Sequence, residues 1–600
     1  MAPEAGVAAS GSELAEVPPE VGKGMWLRVA SPARDLPILA QLLPVDENVL
    51  VLLGNPERSL VILAGDKIAA AVDLSQPLDA MAGVGKADEG KFVLAFTARP
   101  DARKQLSLRR VARGRHVIED PTGRMFTSCE LWELPPPTGG RVVCGGSGAA
   151  LRELGPDLVH DTTKRTSAAF RLEIGGRAYR ALLDQSLAEQ AAEDAALPAA
   201  ERTGAELGRK WTATLLGGER VGFDLTLRER SLDVAVEIAF RSVENPMFAA
   251  FLASAATAES LPHAYGALPE DSHIRGALAG LDAATGRSLR DEGVLQMITA
   301  LEEEMVITPA QRVELERAST AVVPERLRGV FAVGQDLDAA KRLLAAPDKA
   351  GPASKELEQA MGGWTIVGVE ADPNVYLPAL REFVKVANYR FPDKAAASSG
   401  TSSGGPMLPP PSRRSESTLK LRPVPKGLPA GAMHLVDEVR PNPLYKPALG
   451  APPPLRPYDS HVLVLPDGPL VWIVVARKEA DALARAKQVL EKSAQKSAAP
   501  PSRGAVLTGE LSLAGTIAQT IEVETLSQRD EARATFRRLT ELPAGGRTGI
   551  PLSLHVVAEP SGAEKGYVLR AVGQLPAAVV TDWLRFAMTA AKTAPVSGKP

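Results

Sequence analysis

Residues 221–240, VGFDLTLRERSLDVAVEIAF, alternate apolar and polar side chains in two consecutive runs. Val221, Phe223, Leu225 and Leu227 share one side of the first run, and Leu232, Val234, Val236, Ile238 and Phe240 share one side of the second. A period of two marks a strand with one face on a core and the other toward water. The stretch therefore predicts a meander, and the meander sets the expected class: antiparallel sheet with helices packed against it.

Outward from this stretch, a second pattern recurs. An apolar run is followed after a short polar turn by an amphipathic helix in MWLRVASPARDLPILAQLL from Met25, GVFAVGQDLDAAKRLL from Gly329, WTIVGVEADPNVYLPALREFV from Trp364 and VWIVVARKEADALARAKQVL from Val471. The short links between strands in the N-terminal part exclude parallel crossovers, which need a dozen or more residues. The reading is a multidomain α+β protein, mainly antiparallel, with helices packed on one side of its sheets and repeated strand-turn-helix units. The kinship of these units suggests an internal duplication, although no sequence period establishes one.

The expected layout is a tether over 1–22, a strand-rich α+β domain over 23–162, and an α+β domain with long helices and the meander over 163–324. Two strand-helix units follow over 325–392, then a Ser/Gly/Pro-rich linker over 393–417, a C-terminal α+β domain over 418–592 and a tail over 593–600. Strands are expected at VLVLLG from Val49, SLVILAG from Ser59 and KIAAAVDL from Lys67, and at WTATLL before Gly217-Gly218. Thr308 and Pro309 read as the cap and first residue of a helix.

At 600 residues, the chain exceeds the size at which single cores stop growing. With 45% hydrophobic and 24% charged residues and a net charge of -3, it offers no bulk attraction to nucleic acid or to an anionic membrane. No run reaches the length of a membrane-spanning helix, so no transmembrane segment is expected. The N-terminal stub lacks an export signal but would also follow a removed one, so the reading leans extracytoplasmic, to periplasm or cell envelope, and cytoplasmic for an unprocessed chain.

Two cysteines, Cys129 and Cys144, flank a hairpin, where they can form a disulfide or remain two buried thiols. Two cysteines without clustered histidines do not make a zinc site, and neither a metal nor a cofactor is expected. The run from Arg99 to Arg115 holds seven positive residues against one Asp. If Leu106–Arg115 is one strand, Arg109, Arg113 and Arg115 share a side that can meet an anionic partner such as a polysaccharide or lipid headgroup. Aromatic interleaving is missing, which argues against nucleic acid.

Other motif matches fail on context. Gly85–Phe92 has phosphate-loop spacing but ends in Phe and feeds a strand, not a helix. The glycines after Cys144 miss dinucleotide spacing at Leu151. Gly400–Gly404 matches a nucleophile elbow inside the low-complexity linker. The seven histidines form no helical ligand pair, and only His160-Asp161 and the pair His263 and His273 hint at local chemistry. The leading functional expectation is a non-catalytic binding or scaffolding protein of a bacterial cell envelope, whose partner is another envelope protein, a polysaccharide or a lipid. One alternative is a carrier that holds a lipid-like ligand between the curved sheet and helices such as Met247–Ala256. A second is an enzyme with a dispersed site around His160 and Asp161.

Overall fold

The fold comes from a computed structural model that describes residues 24–42, 53–83, 91–119, 125–134, 139–160, 168–195, 199–258, 261–345, 355–389, 391, 415–441, 457–494, 504–519, 521, 530–542, 548–561, 564–582 and 586. The expected tether, the tail and nearly all of the 393–417 linker lie outside these residues. The α+β class holds: the sheets are antiparallel, and the four strand-turn-helix units form where their patterns place them.

The chain divides into two compact units, the first comprising Met1–Glu189, Leu216–Glu229 and Asp233–Ala239. Its strands are β1 (Gly24–Val29), β2 (Leu78–Gly83), β3 (Phe92–Thr97), β4 (Leu108–Ala112), β5 (Arg115–Ile118), β6 (Ser128–Glu133), β7 (Gly140–Gly145), β8 (Phe170–Gly175), β9 (Arg220–Leu227) and β10 (Ser231–Phe240), the last lying mostly in this unit. The sheet order is β4-β5-β6-β7-β3-β2-β1-β8-β9-β10.

The second unit comprises Gln190–Leu215, Arg230–Leu232 and Phe240–Pro600. Its strands are β11 (Ile274–Leu278), β12 (Gly329–Gly334), β13 (Trp364–Glu370), β14 (Ser415–Arg422), β15 (Met433–Pro441), β16 (Tyr458–Asp467), β17 (Leu470–Ala476), β18 (Leu507–Ser512), β19 (Gly549–Ser561) and β20 (Glu564–Pro576). Their order is β14-β15-β16-β17-β13-β12-β11-β18-β19-β20. Strand for strand, this is the order of the first unit with ten added to every number. The repeat suspected from the strand-helix units is thus a repeat of topology. β13, which precedes the 393–417 segment, pairs directly with β17, which follows it, so the chain on both sides of that segment belongs to one sheet.

Each sheet buries alternate residues on opposite faces. In the first unit Phe96, Leu131 and Val142 pack beneath the helices Pro56–Ala64 and Asp66–Ala71, while Val93, Trp132 and Val143 pack beneath the helix Gly148–His160. In the second, Leu463, Trp472 and Val474 meet the helix Glu479–Ala494, while Val464 and Val471 meet Pro373–Ala387. The sequence pattern predicted helices on one side; along these strands they cover both.

Two local readings change. Ser59–Ala64 is helical, not extended, because Asn55 caps Arg58 N with its side chain and Pro56 occupies the first turn, and Lys67–Ala71 lies in a second helix that starts at Asp66 after Gly65. WTATLL completes the helix Ala199–Leu216, so the turn at Gly217-Gly218 joins a helix to β9. Thr308 does cap its helix, in a reciprocal box with Gln311.

Candidate functional site

Cys129 and Cys144 stand opposite each other on β6 and β7, fully buried, and are joined by a disulfide with Cα atoms 4.1 Å apart. The bond closes a loop of 15 residues. Loop-closure entropy at that length is worth about 3 kcal/mol. Replacing both cysteines with Ala is expected to lower the stability of the first unit by that amount, read as a shift in urea midpoint. Reductant should shift the wild type equally and leave the variant unmoved; equal midpoints for wild type and variant without reductant would show that the bond contributes nothing.

The basic run does not form one strand. β4 ends at Ala112, the chain reverses through Arg113 and Gly114 (φ 71°), and Arg115 begins β5. A glycine fits this left-handed position because it has no Cβ to clash. Arg109, Arg113 and Arg115 therefore do not line one strand face. Arg109 Nε lies 3.5 Å from Glu119, with both side chains exposed. Arg115 is held within the sheet, donating to both Glu130 carboxylate oxygens at 2.9 and 3.1 Å and lying 4.3 Å above the Trp132 ring. Arg113 is exposed in the turn. His160 ends a helix, but its side chain and Asp161 lie outside the described residues.

Sequence reading missed a row of charges on one face of the first sheet. Ala95, Asp79, Arg28, Arg171 and Asp224 are successive register partners across β3, β2, β1, β8 and β9. Arg28 Nε and Nη2 donate to the Asp79 oxygens at 2.6 and 3.1 Å, and Arg141 Nη2 donates to Asp79 at 2.6 Å and to the Ala95 carbonyl at 2.7 Å. Burial pushes the Arg141 guanidinium below its usual range, and Asp79 opposes that shift. Farther along, Arg171 donates to both oxygens of Asp224 at 3.2 and 3.0 Å and pairs with Glu173 and Glu237. Each acid in the row faces a guanidinium, which gives the row a structural role.

The second unit brings together a different set. His434 on β15 and His461 on β16 are not opposite one another: His434 faces Leu463 and His461 faces Val436. This diagonal offset of two residues puts both imidazoles on one sheet face, with rings 5.5 Å apart and stacked at 27°. Glu479, the first residue of the helix after β17, completes the group: one atom from each of the three side chains lies within 4.8 Å of the others. His434 is buried, His461 half-buried and Glu479 exposed.

The His434 ring has a defined orientation. Its Nδ1 lies 3.1 Å from the Pro423 carbonyl, which can only accept, so Nδ1 carries the proton and Nε2 presents a lone pair. That lone pair lies 3.2 Å from His461 Nδ1. Burial, followed by the neighbouring His434, pushes the His461 pKa down, against the pull of Glu479 and Asp459. Two imidazole nitrogens and a carboxylate are donors to divalent metal ions, and they can also relay a proton. In the first unit the corresponding strand β5 carries His116, and β6 carries Cys129, bonded to Cys144 of β7.

No protein-family model matches the chain, and no curated protein does. Two solved structures, crystal forms I and III of TP0453, are similar to 40% of this chain and to 86% and 87% of their own, at 14% and 12% identity and TM-scores of 0.19 and 0.18. Likeness at that level carries no argument. Among the described residues, no helix is long and apolar enough to cross a membrane.

Proposed function

We propose that the protein is a non-catalytic binding or scaffolding protein that engages a macromolecular partner, in an oxidising compartment such as a bacterial cell envelope. The observation carrying this reading is what the two units share. Both keep the same ten-strand order, while their titratable clusters differ: a buried charge row and a disulfide in one, two histidines and a carboxylate in the other. A role common to both copies rests on the sheet and its surfaces, because the side-chain chemistry is not repeated. Among the described residues β4 and β14 occupy corresponding sheet edges, each paired to one strand only, and an edge offers backbone groups to another chain, although on β14 the Leu419 N–H and carbonyl are already bonded to the Asn388 side chain at 2.9 and 2.7 Å. The Cys129–Cys144 bond supports the compartment, since disulfides persist mainly outside the reducing cytosol.

The test is native mass spectrometry on the full chain, expressed in its own host and purified without reductant, joined to cross-linking before lysis. A protein or polysaccharide partner cross-linked to β4 or β14 is the expected result. A small apolar mass that leaves on denaturation, without a macromolecular partner, would replace this reading with a lipid carrier.

A further inference from the structure

We infer that His434 Nε2, His461 Nδ1 and the Glu479 carboxylate form a binding site for one divalent transition-metal ion of the zinc type. The inference is independent of the scaffold reading and assigns this face of the second unit a ligand of its own.

Spacing is the first support. Nitrogens bound tetrahedrally to zinc at about 2.0–2.1 Å lie roughly 3.3 Å from each other. His434 Nε2 and His461 Nδ1 are 3.2 Å apart, already the edge of such a tetrahedron. Without metal, the same distance is spanned by a hydrogen bond from His461 Nδ1 to His434 Nε2. For the ion to bind, neutral His461 moves that proton to its Nε2, and the ring nitrogen that donated then coordinates. No net proton is lost from the imidazoles, because only the tautomer changes.

The second support is the outer contact. Metal-bound histidines usually donate their other ring N–H to a carbonyl or carboxylate, which fixes the ring and its tautomer. His434 donates in this way to the Pro423 carbonyl at 3.1 Å, so its coordinating nitrogen is aimed before any ion arrives. Charge is the third. Glu479 supplies a negative donor, while the nearby acid Asp459 is ion-paired with Arg440 at 2.8 Å and the nearby cation Arg422 with Glu438 at 3.1 Å, so both are partly neutralised. Two imidazoles and one carboxylate suit zinc or its neighbours better than calcium or magnesium, which favour all-oxygen sets. Three protein ligands leave a fourth position for water, and Glu479 itself is exposed.

The experiment uses the full chain, stripped with chelator, buffer-exchanged and titrated with Zn²⁺ by calorimetry. Co²⁺ serves as a coloured substitute whose visible band reports four-coordination. Expected is about one saturable equivalent and a tetrahedral Co²⁺ band. Glu479→Gln and His461→Ala should each weaken binding at least tenfold, an estimate scaled from the 10–100-fold effects of outer-shell changes. Glu479 is exposed and its replacement isosteric, so that variant should unfold in urea like the wild type. No saturable Zn²⁺ uptake by folded wild type, or uptake unaltered in both variants, overturns the site.

Discussion

Replacing Asp79 with Asn is expected to remove about 3–5 kcal/mol from the stability of the first unit, the cost of breaking a buried ion cluster by deleting one partner. Asp79 is 1% exposed and accepts from two guanidiniums, those of Arg28 and Arg141, both nearly as buried. The amide keeps the shape and one acceptor oxygen but loses the charge, leaving two guanidiniums in a low-dielectric layer alongside buried Trp26 and Trp132. Arg141 has the Ala95 carbonyl as its other partner, and its Nε already lacks a hydrogen bond. Hydrogen exchange read by mass spectrometry on β1 and β2 peptides should show faster global opening in Asp79→Asn, with second-unit peptides unchanged. A loss below about 1 kcal/mol would mean that water reaches the cluster. A triple replacement, Arg28→Met, Asp79→Leu and Arg141→Met, should recover most of the loss, because apolar side chains of similar volume often replace a buried ion cluster without penalty.

This cluster was not legible in the sequence, and neither was β2, the strand that carries Asp79, although β1 and several other strands were. Alternation and strand-then-helix spacing are local, so β1, β9, β10, β12, β13, β15, β16 and β17 follow from the residues themselves. Ser59–Ala64 misled because a short apolar run fits a buried strand or a helix equally well, and the deciding signal lay outside the run, in Asn55-Pro56. The functional residues are nonlocal. Asp79 meets Arg28 across 51 residues and Arg141 across 62, and His434 meets His461 only once β15 and β16 take a register that places them two positions apart diagonally. Histidines 27 apart in sequence show no ligand spacing, which is why sequence reading expected no metal ligand. Glu479 carried a better clue, an acid opening a helix directly after a strand. The duplicated topology is likewise a property of pairing order, and ten strands can repeat their order while their side chains diverge.

A second large effect is expected at Trp472, whose indole is fully buried on β17 opposite Gly368 of β13. Gly368 leaves room for the ring: a Cβ there would lie 2.6 Å from Trp472 Cζ3 and 2.8 Å from Cε3, closer than carbon atoms pack. Trp472→Leu is expected to cost about 3 kcal/mol, from lost burial and the space left behind. It also removes the donor to Asp467, which keeps its hydrogen bond from Ser493 at 2.6 Å. Gly368→Ala in the wild type should cost about 1–3 kcal/mol by overpacking, since the new methyl would also meet Val330 Cγ2 at 3.0 Å and the ring lies in a buried core cluster with Leu463, Val474 and Ala486. The two changes share one space, so their effects should not add. With Leu at 472 the new methyl enters vacated volume, and the double variant should be more stable than the sum of the singles predicts by about 0.5–3 kcal/mol. Urea midpoints for the four proteins, with hydrogen exchange on β13 and β17 peptides assigning the transition, complete the cycle. Strict additivity would mean that the sheet shifts to admit the methyl without touching the ring, and that Gly368 is there for some reason other than Trp472.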